Sequence, residues 1–184
     1  ILNDEMHPTI GSCYGETIRK RNMLKKEVIE QIRNNPDGRR NITCLWQQDD
    51  FMEKHGLKPC AFLTQWNVRK VNGDYYLDMC LTQRSSDFIA AGCINQVQYM
   101  TFLCMMAKEV KMNPGRFTWF YNNIQIYDRH IDNANEMLNR TPIDCHPVLK
   151  LNPEKTNFYD FTPDDVIIED YQKNPQVTGI PVAV

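Results

Sequence analysis

The sequence predicts an α+β fold, because helical and strand patterns alternate irregularly along the chain and show no repeated β-α-β order. Residues 61–70 and 75–84 are rich in β-branched and aromatic residues, and they flank Asn72-Gly73, a pair that favours a two-residue hairpin turn. Residues 95–112 place apolar side chains close to helical spacing and end at Asn-Pro-Gly. The first two segments predict a β-hairpin, and the third predicts a long, largely buried helix.

Shorter elements are expected in the remaining segments. Apolar residues recur at helical intervals between charged ones in residues 16–34, which indicates an amphipathic helix that ends at "NNPDGRR". We also expect a strand at 41–46, a strand at 116–127, a helix at 129–140, and strands in "PVLKL" and "DVIIEDY". With 184 residues, 42% of them hydrophobic, the chain has the size of one domain, and residues 1–184 are expected to form it.

Composition narrows the class of protein. The 21 Lys and Arg residues nearly balance the 23 Asp and Glu residues, so no broad basic field indicates a nucleic-acid partner. The seven cysteines form no C-x-x-C pair and have no clustered histidines beside them, which favours reduced thiols over disulfides or a metal site. No apolar run approaches the roughly 18 residues of a membrane helix, and the N-terminus lacks signal-peptide features. We therefore expect a cytoplasmic protein that needs neither metal nor membrane.

The hairpin places one cysteine beside an arginine. Counted back from the turn, the register pairs Ala61 with Arg84 and Cys60 with Ser85, and a β-bulge would shift this pairing by one residue. Nearby positive charge favours the thiolate, which is the nucleophilic form of cysteine. Cys60 is therefore a candidate nucleophile, whereas the other cysteines, which lack a basic neighbour, are more simply core residues.

Four further features are candidates for ligand binding, each with a structural alternative. Arg39-Arg40 follows a turn and can bind a phosphate by paired hydrogen bonds, or it is simply a solvent-exposed segment after the end of a helix. "QRSSD", residues 83–87, combines an arginine, two hydroxyls and a carboxylate at a strand end, or it is a turn with an Asp cap. Asn95 offers a donor and an acceptor that match a pyrimidine edge, or it is an N-cap. Tyr127 ends a strand and is a candidate ligand contact, or it is only an aromatic residue at the rim of the site.

Together these segments resemble the thymidylate synthase family. "NNPDGRRNIT" is similar to the family's arginine-pair segment, "LKPCAFLTQW" to its nucleophile segment, and "QRSSD" matches its Q-R-S-x-D signature. Asn95, "IYDRHIDN", "FYDF" and the C-terminal "PVAV" continue the match in the same order, from about Thr9 to Val184. Several motifs in a fixed order are far more specific than one short motif.

The resemblance implies a thymidylate synthase fold, with a mixed sheet packed on a long buried helix and a homodimer formed sheet to sheet. It also implies reductive methylation of dUMP to dTMP, with 5,10-methylenetetrahydrofolate as co-substrate. Cys60 would add to C6 of the uracil ring, which turns C5 into an enolate-like carbon that attacks the methylene group. Arg84 would hold the phosphate and favour the thiolate, and Asn95 would select uracil over cytosine.

The remaining site residues follow from the same resemblance. Arg39 and Arg40 would reach across the dimer interface to the partner's phosphate. Asp87 would contact both ligands and orient the pterin of the folate. The other nucleotide-binding residues would be Gln83, Ser85, Ser86, Gln125, Ile126 and Tyr127, with Tyr127 on the deoxyribose hydroxyl. Ala91 would line the folate site, over which the C-terminal residues Ala183 and Val184 would close.

Departures from the family pattern indicate a divergent member. Gln125 occupies the position of a family histidine, "AAGCIN" replaces a Gly and Pro-Phe pattern, and "FYNNIQIY" lacks a Gly-Asp. The matched region begins after three features of the family: its catalytic Glu, its early arginine loop and its Trp pair. The resemblance therefore implies a missing N-terminal segment. The first residue, Ile1 in place of Met, indicates the same. Two alternatives stay open: a dUMP hydroxymethylase of the same fold, in which water completes the reaction, and a non-catalytic nucleotide- or RNA-binding fragment.

Overall fold

The structure, a computed structural model, describes residues 14–49 and 58–181. These residues begin with helix α1, Tyr14–Arg21, followed by a π-helical segment, Leu24–Ile29, and helix α2, Glu30–Asn34. The single helix predicted for residues 16–34 is therefore interrupted. Asn22 adopts a left-handed conformation with φ of +52°, which asparagine tolerates better than most residues. The apolar side of the segment nevertheless faces the core, since Val28 and Ile32 are fully buried.

The main sheet is mixed. The described residues form eight strands: β1 Ile42–Cys44, β2 Ala61–Val71, β3 Asp74–Gln83, β4 Ser86–Asp87, β5 Asn113–Tyr121, β6 Ile124–Gln125, β7 Val148–Leu151 and β8 Val166–Glu169. The main sheet has the order β1-β2-β3-β5, in which β1, β2 and β3 are antiparallel and β5 runs parallel to β3. The predicted hairpin is confirmed, with Asn72 and Gly73 at positive φ in its turn.

The hairpin register differs from the prediction at its open end. The predicted pairing holds from the turn as far as Leu63, which faces Thr82. A β-bulge in β2 then shifts the pairing by one residue, so that Ala61 faces Gln83. The prediction that Ala61 faces Arg84 is therefore wrong. The bulge places three residues of β2 opposite two of β3, and this moves the residue before β2 directly opposite Arg84.

The predicted long helix is confirmed with shifted bounds, but it is not largely buried, because only five of its 17 residues are buried. Helix α3 runs Cys93–Glu109 and is preceded by a wide π-helical turn, Phe88–Gly92, within a segment expected to be a loop. The fully buried side chains of α3 and of the facing strand β3 form the centre of the core: Leu103, Met106, Ala107, Leu77 and Leu81. The continuous stretch Phe88–Glu109 is long and apolar enough to cross a membrane by length and composition alone, contrary to the sequence-based expectation, although core helices meet the same criterion.

The C-terminal third contains smaller elements. The strand predicted at 116–127 is divided at Asn122-Asn123 into β5, in the main sheet, and β6, which pairs in parallel with β4. A 3-10 turn, Asp128–His130, leads into helix α4, Ile131–Leu138. The two last predicted strands are confirmed as β7 and β8, an antiparallel pair.

Truncation of the core helix is expected to destabilise the protein. Leu103 is fully buried, so Leu103→Ala should lower the free energy of unfolding by about 3 kcal/mol, since it removes buried methyl groups and leaves a cavity. Leu138→Ala is the matched control, because Leu138 is 81% exposed and its truncation should change the value by less than about 0.5 kcal/mol. Urea unfolding measures both. Equal effects of the two changes would contradict the assignment of α3 to the core.

Candidate active site

Cys60 lies immediately before β2 and is held through its backbone. Its carbonyl accepts a hydrogen bond from the N–H of Arg84 at 2.9 Å, and its own N–H donates to the hydroxyl of Tyr14 at 2.8 Å. The side chain is half-buried and is a free thiol. The predicted pairing of Cys60 with Ser85 is wrong, because the bulge in β2 brings Cys60 opposite Arg84.

The guanidinium of Arg84 folds back along the segment that precedes the cysteine. Its Nε donates to the carbonyl of Pro59 at 3.1 Å and its Nη2 donates to the carbonyl of Lys58 at 3.0 Å. The guanidinium carbon also lies 5.7 Å from the ring centre of Trp46, within cation–π range. Arg84 therefore contacts residues 58, 59 and 60 at once and places a permanent positive charge at the start of β2.

Tyr14 is a site residue that the sequence reasoning missed. Burial raises the pKa of its phenol, and this outweighs the opposing effect of the hydrogen bond from Cys60. The phenol is therefore neutral at physiological pH and holds the cysteine backbone as an uncharged acceptor. No local pattern marks Tyr14, because the contact joins residues 46 positions apart.

Gln83 supports the end of β3 from inside the protein. Its side chain is 2% exposed, its Nε2 donates to the carbonyl of Ser85 at 2.9 Å, and its Oε1 accepts from the indole N–H of Trp119 at 3.1 Å. Its carbonyl accepts from the N–H of Asn122 at 2.9 Å. The amide thus fixes the "QRSSD" turn against β5, so its support for a ligand is indirect in this structure.

The β4–β6 pair joins two separate predicted segments. Ser86 faces Ile124 and Asp87 faces Gln125 in this parallel pair. The hydroxyl of Ser85 donates to Oε1 of Gln125 at 3.0 Å. Within the described residues, the buried hydroxyl of Ser86 has no hydrogen-bond partner. The structure therefore brings residues 85–87 next to residues 124–125, as one ligand site requires.

Asp87 connects the turn before α3 with the segment after β6. Its carboxylate accepts the N–H of Ala90 at 3.2 Å and so caps the turn that contains Ala91. The same carboxylate lies 3.3 Å from Nδ1 of His130. Asn95 is half-buried in the first turn of α3, on the helix that this cap introduces. The cap that the sequence offered as an alternative function of Asp87 is thus present.

His130 is a second residue to which the sequence reasoning assigned no role, although it lies in the quoted "IYDRHIDN". It is fully buried, and its Nε2 lies 2.7 Å from the carbonyl oxygen of Pro181. Its ring meets that of Tyr127 edge to face, with 5.7 Å between ring centres. Ile126, between the predicted ligand contacts, is 47% exposed.

A largely apolar cavity adjoins the cysteine segment. It has a volume of about 580 Å³ and lies between α1, β2 and α3. Tyr14 and Ala61 line it near Cys60, and Tyr99 and Phe102 line it on α3. Burial raises the pKa of Tyr99, so this wall is uncharged as well.

Other predicted residues lie apart from this cluster. Arg39 and Arg40 are exposed after the turn that ends α2, and Arg40 borders a polar cavity beside β1 together with Lys26 and Glu27. Ala183 and Val184 lie outside the described residues. In the ranges 14–49 and 58–181, no group of three or more His, Cys, Asp or Glu side chains could hold a metal ion.

Comparison with known proteins agrees with this arrangement. The family model for thymidylate synthase matches residues 3–184. The thymidylate synthase of Streptococcus agalactiae serotype Ia is 45% identical over 164 residues, which cover 89% of this chain and 58% of that protein. The thymidylate synthase of Streptococcus sanguinis is 46% identical over the same shares of the two chains.

Two solved structures share the fold. Thermostable thymidylate synthase A from Bacillus subtilis superposes with a TM-score of 0.73 at 32% identity, covering 83% of this chain and 53% of that one. Thymidylate synthase from T4 phage gives a TM-score of 0.77 at 29% identity, covering 95% of this chain and 64% of that one. The chain thus spans about 58% of the length of the curated relatives that it matches. The predicted α+β fold of the single chain, with its mixed sheet and long helix, is confirmed, and the chain belongs to the thymidylate synthase family.

Proposed function

We propose that this chain contains the nucleophile and the nucleotide-binding part of a thymidylate synthase. The reaction is the reductive methylation of dUMP to dTMP, with 5,10-methylenetetrahydrofolate as the source of both the one-carbon unit and the hydride. One observation supports this proposal above the others: the backbone of Cys60 pairs with that of Arg84, whose guanidinium binds the carbonyls of residues 58 and 59. A thiol and an anion-binding cation therefore meet at one strand end.

The cysteine acts by covalent catalysis. The thiolate of Cys60 adds to C6 of the uracil ring, and the ring electrons move to C5, which then attacks the methylene carbon of the folate as one carbon–nitrogen bond of that methylene breaks. Loss of the C5 proton and breakage of the remaining carbon–nitrogen bond release tetrahydrofolate and leave a methylene group on C5. A hydride from the tetrahydrofolate reduces this group to the methyl group as the bond between Cys60 and C6 breaks, which gives dTMP and dihydrofolate. The hydrogen bonds at both the N–H and the carbonyl of Cys60 restrict its backbone, which limits the positions that the sulfur can reach. The neutral phenol of Tyr14 adds no negative charge that would oppose the thiolate.

The nucleotide phosphate is bound beside this cysteine. Arg84 has five N–H donors and uses two on backbone carbonyls, so further donors are available to a phosphate. Ser85 also contacts the nucleotide; its one hydroxyl proton, which Gln125 accepts in this structure, must turn to the phosphate to donate there. Arg39 and Arg40 complete the site from the partner in a sheet-to-sheet homodimer, since both are exposed and neither contacts Cys60 or Arg84 within the described part of its own chain.

The base and the sugar are recognised by amides and a phenol. Asn95 matches the imide edge of uracil when its amide is held in one orientation, with Oδ1 accepting from the ring N–H and Nδ2 donating to the adjacent carbonyl; only a turned amide would match cytosine. Gln125 and Tyr127 bind the deoxyribose hydroxyl, while Ile126, Ser86 and the buried Gln83 shape the surrounding wall. Gln125 replaces a family histidine, and its Oε1 accepts a hydrogen bond from Ser85, which is also a proposed nucleotide contact.

The folate is bound on the side of Asp87 and Ala91. Asp87 orients the pterin, and the C-terminal residues Ala183 and Val184 close over both ligands and exclude water from the reactive intermediate. The large apolar surface of a pterin and its aryl group suits the half-buried wall formed by the turn that Asp87 caps. We place the enzyme in the cytoplasm, as a homodimer that uses no metal.

Replacement of the nucleophile should abolish turnover. In the protein that contains this chain, Cys60→Ser should lower kcat by at least about 1,000-fold, because a hydroxyl is a far weaker nucleophile than a thiolate. Cys104→Ser is the matched control: burial raises the pKa of the Cys104 thiol, which therefore stays protonated, and its kcat should remain within about threefold of the wild type. A Cys60→Ser variant with unchanged kcat would contradict every covalent mechanism.

Product analysis should show transfer of both carbon and hydride. With folate labelled in the methylene group, the expected products are labelled dTMP and an equal amount of dihydrofolate, which chromatography and absorbance measure separately. Labelled hydroxymethyl-dUMP without dihydrofolate would instead indicate that water completes the reaction. Tight nucleotide binding without any labelled product would indicate a binding module.

A further inference from the structure

His130 lies at the centre of contacts that the proposed reaction does not use. It is fully buried at the end of the 3-10 turn Asp128–His130. Its Nδ1 faces the carboxylate of Asp87 at 3.3 Å, its Nε2 faces the carbonyl of Pro181 at 2.7 Å, and its ring packs on Tyr127. The three neighbours belong to the proposed folate side, the C-terminal segment and the proposed nucleotide side.

The hydrogen-bonding capacity of these groups defines the contact with the tail. A carbonyl oxygen can only accept, so the short distance to Pro181 requires a proton on Nε2 of His130. On the other side of the ring, Nδ1 forms no well-aligned hydrogen bond within the described residues, although the carboxylate oxygen is close. The ring is therefore bonded to the tail and packed against Asp87.

Two hydrogen bonds hold the C-terminal segment before it reaches this ring. Arg140 donates to the carbonyl of Pro175, and Asn174 donates to the carbonyl of Thr141 at 3.1 Å. From there the chain continues without regular secondary structure to Pro181, where the bond from His130 holds the backbone. The position of the described segment that ends at Pro181 therefore depends on the position of the imidazole.

We propose that His130 is a positioning residue that couples the C-terminal tail to the carboxylate of Asp87. Because Asp87 also caps the turn at Ala90, a ring held by Pro181 limits where the carboxylate can lie. A folate bound on Asp87 favours the ring position that keeps the tail docked, and the docked tail in turn preorganises Asp87 for the folate. This inference rests on the proposed function, because that proposal places the folate at Asp87.

The contact itself can be tested without any ligand. A buried, hydrogen-bonded imidazole N–H gives a proton signal in nitrogen-15 spectra, whereas an exposed one exchanges too quickly to be seen. We expect one such signal from His130 and none from His146, whose side chain is 92% exposed. Deletion of residues 181–184 should abolish the signal. An unchanged signal after this deletion would overturn the proposal. This measurement needs no substitution of His130.

The coupling can be tested by a double-variant cycle. His130→Asn should weaken binding of a non-reactive folate analogue, measured on the dUMP complex, by about tenfold, while dUMP affinity stays within about twofold. Deletion of residues 181–184 should weaken analogue binding similarly, and the double variant should bind no more weakly than the deletion alone. His146→Asn is the matched control and should leave both affinities unchanged.

The results of this cycle distinguish a failure of the coupling from a failure of the proposed function. Additive effects of His130→Asn and the deletion would overturn the coupling, because they would show that the residue and the tail act independently. A wild-type protein that binds neither dUMP nor the analogue would contradict the proposed function, and the proton signal would still decide whether His130 holds the tail. His130→Gln, which can extend an amide toward Pro181, should restore part of the analogue affinity that His130→Asn loses.

Discussion

The backbone hydrogen bond between Arg84 and Cys60 is the constraint on which the rest of the site depends. It is the last link of the β2–β3 ladder, and it forms only because the bulge near Ala61 shifts the register by one residue. Without the bulge, Ser85 would lie opposite the cysteine, and the guanidinium could not return along the carbonyls of residues 58 and 59. One extra residue in a strand therefore determines which residue pairs with the cysteine.

The second arm of the site is built on the same strand end. The buried amide of Gln83 bonds to Ser85 and Trp119, which anchors the "QRSSD" turn to β5 as well as to β2. The break after β5 then allows β6 to pair with β4. Because this pairing carries the chain past Tyr127 to His130, the proposed nucleotide side, the proposed folate side and the segment that ends at Pro181 are all positioned from the end of one hairpin.

The local signals in the sequence predicted the hairpin well, because an Asn-Gly turn and alternating strands depend mainly on neighbouring residues. The bulge could not be predicted, since it depends on how β2 packs between β1, β3 and the helices. The break at Asn22 and the division of the strand at Asn122-Asn123 were missed for a similar reason. Asparagine is compatible with both regular and left-handed backbone, and at Asn22 the surrounding fold selects the left-handed form.

The site was predicted in part. Cys60, Arg84 and the "QRSSD" residues came from motifs, and the structure brings them together. Tyr14 and His130 could not be found in this way, because their contacts join residues 46 and 51 positions apart and involve backbone groups that no motif displays. In the proposed homodimer, Arg39 and Arg40 contact the phosphate bound by the other subunit.

The most direct test of the account is to identify the residue that bonds to the pyrimidine. The protein that contains this chain is incubated with 5-fluoro-dUMP and 5,10-methylenetetrahydrofolate, digested, and mapped by mass spectrometry. The account predicts one covalent adduct per chain, on the peptide that contains Cys60, and its loss in Cys60→Ser. An adduct on another cysteine, or bound nucleotide without any covalent adduct, would contradict the claim that the strand end at Cys60 and Arg84 is the reaction centre.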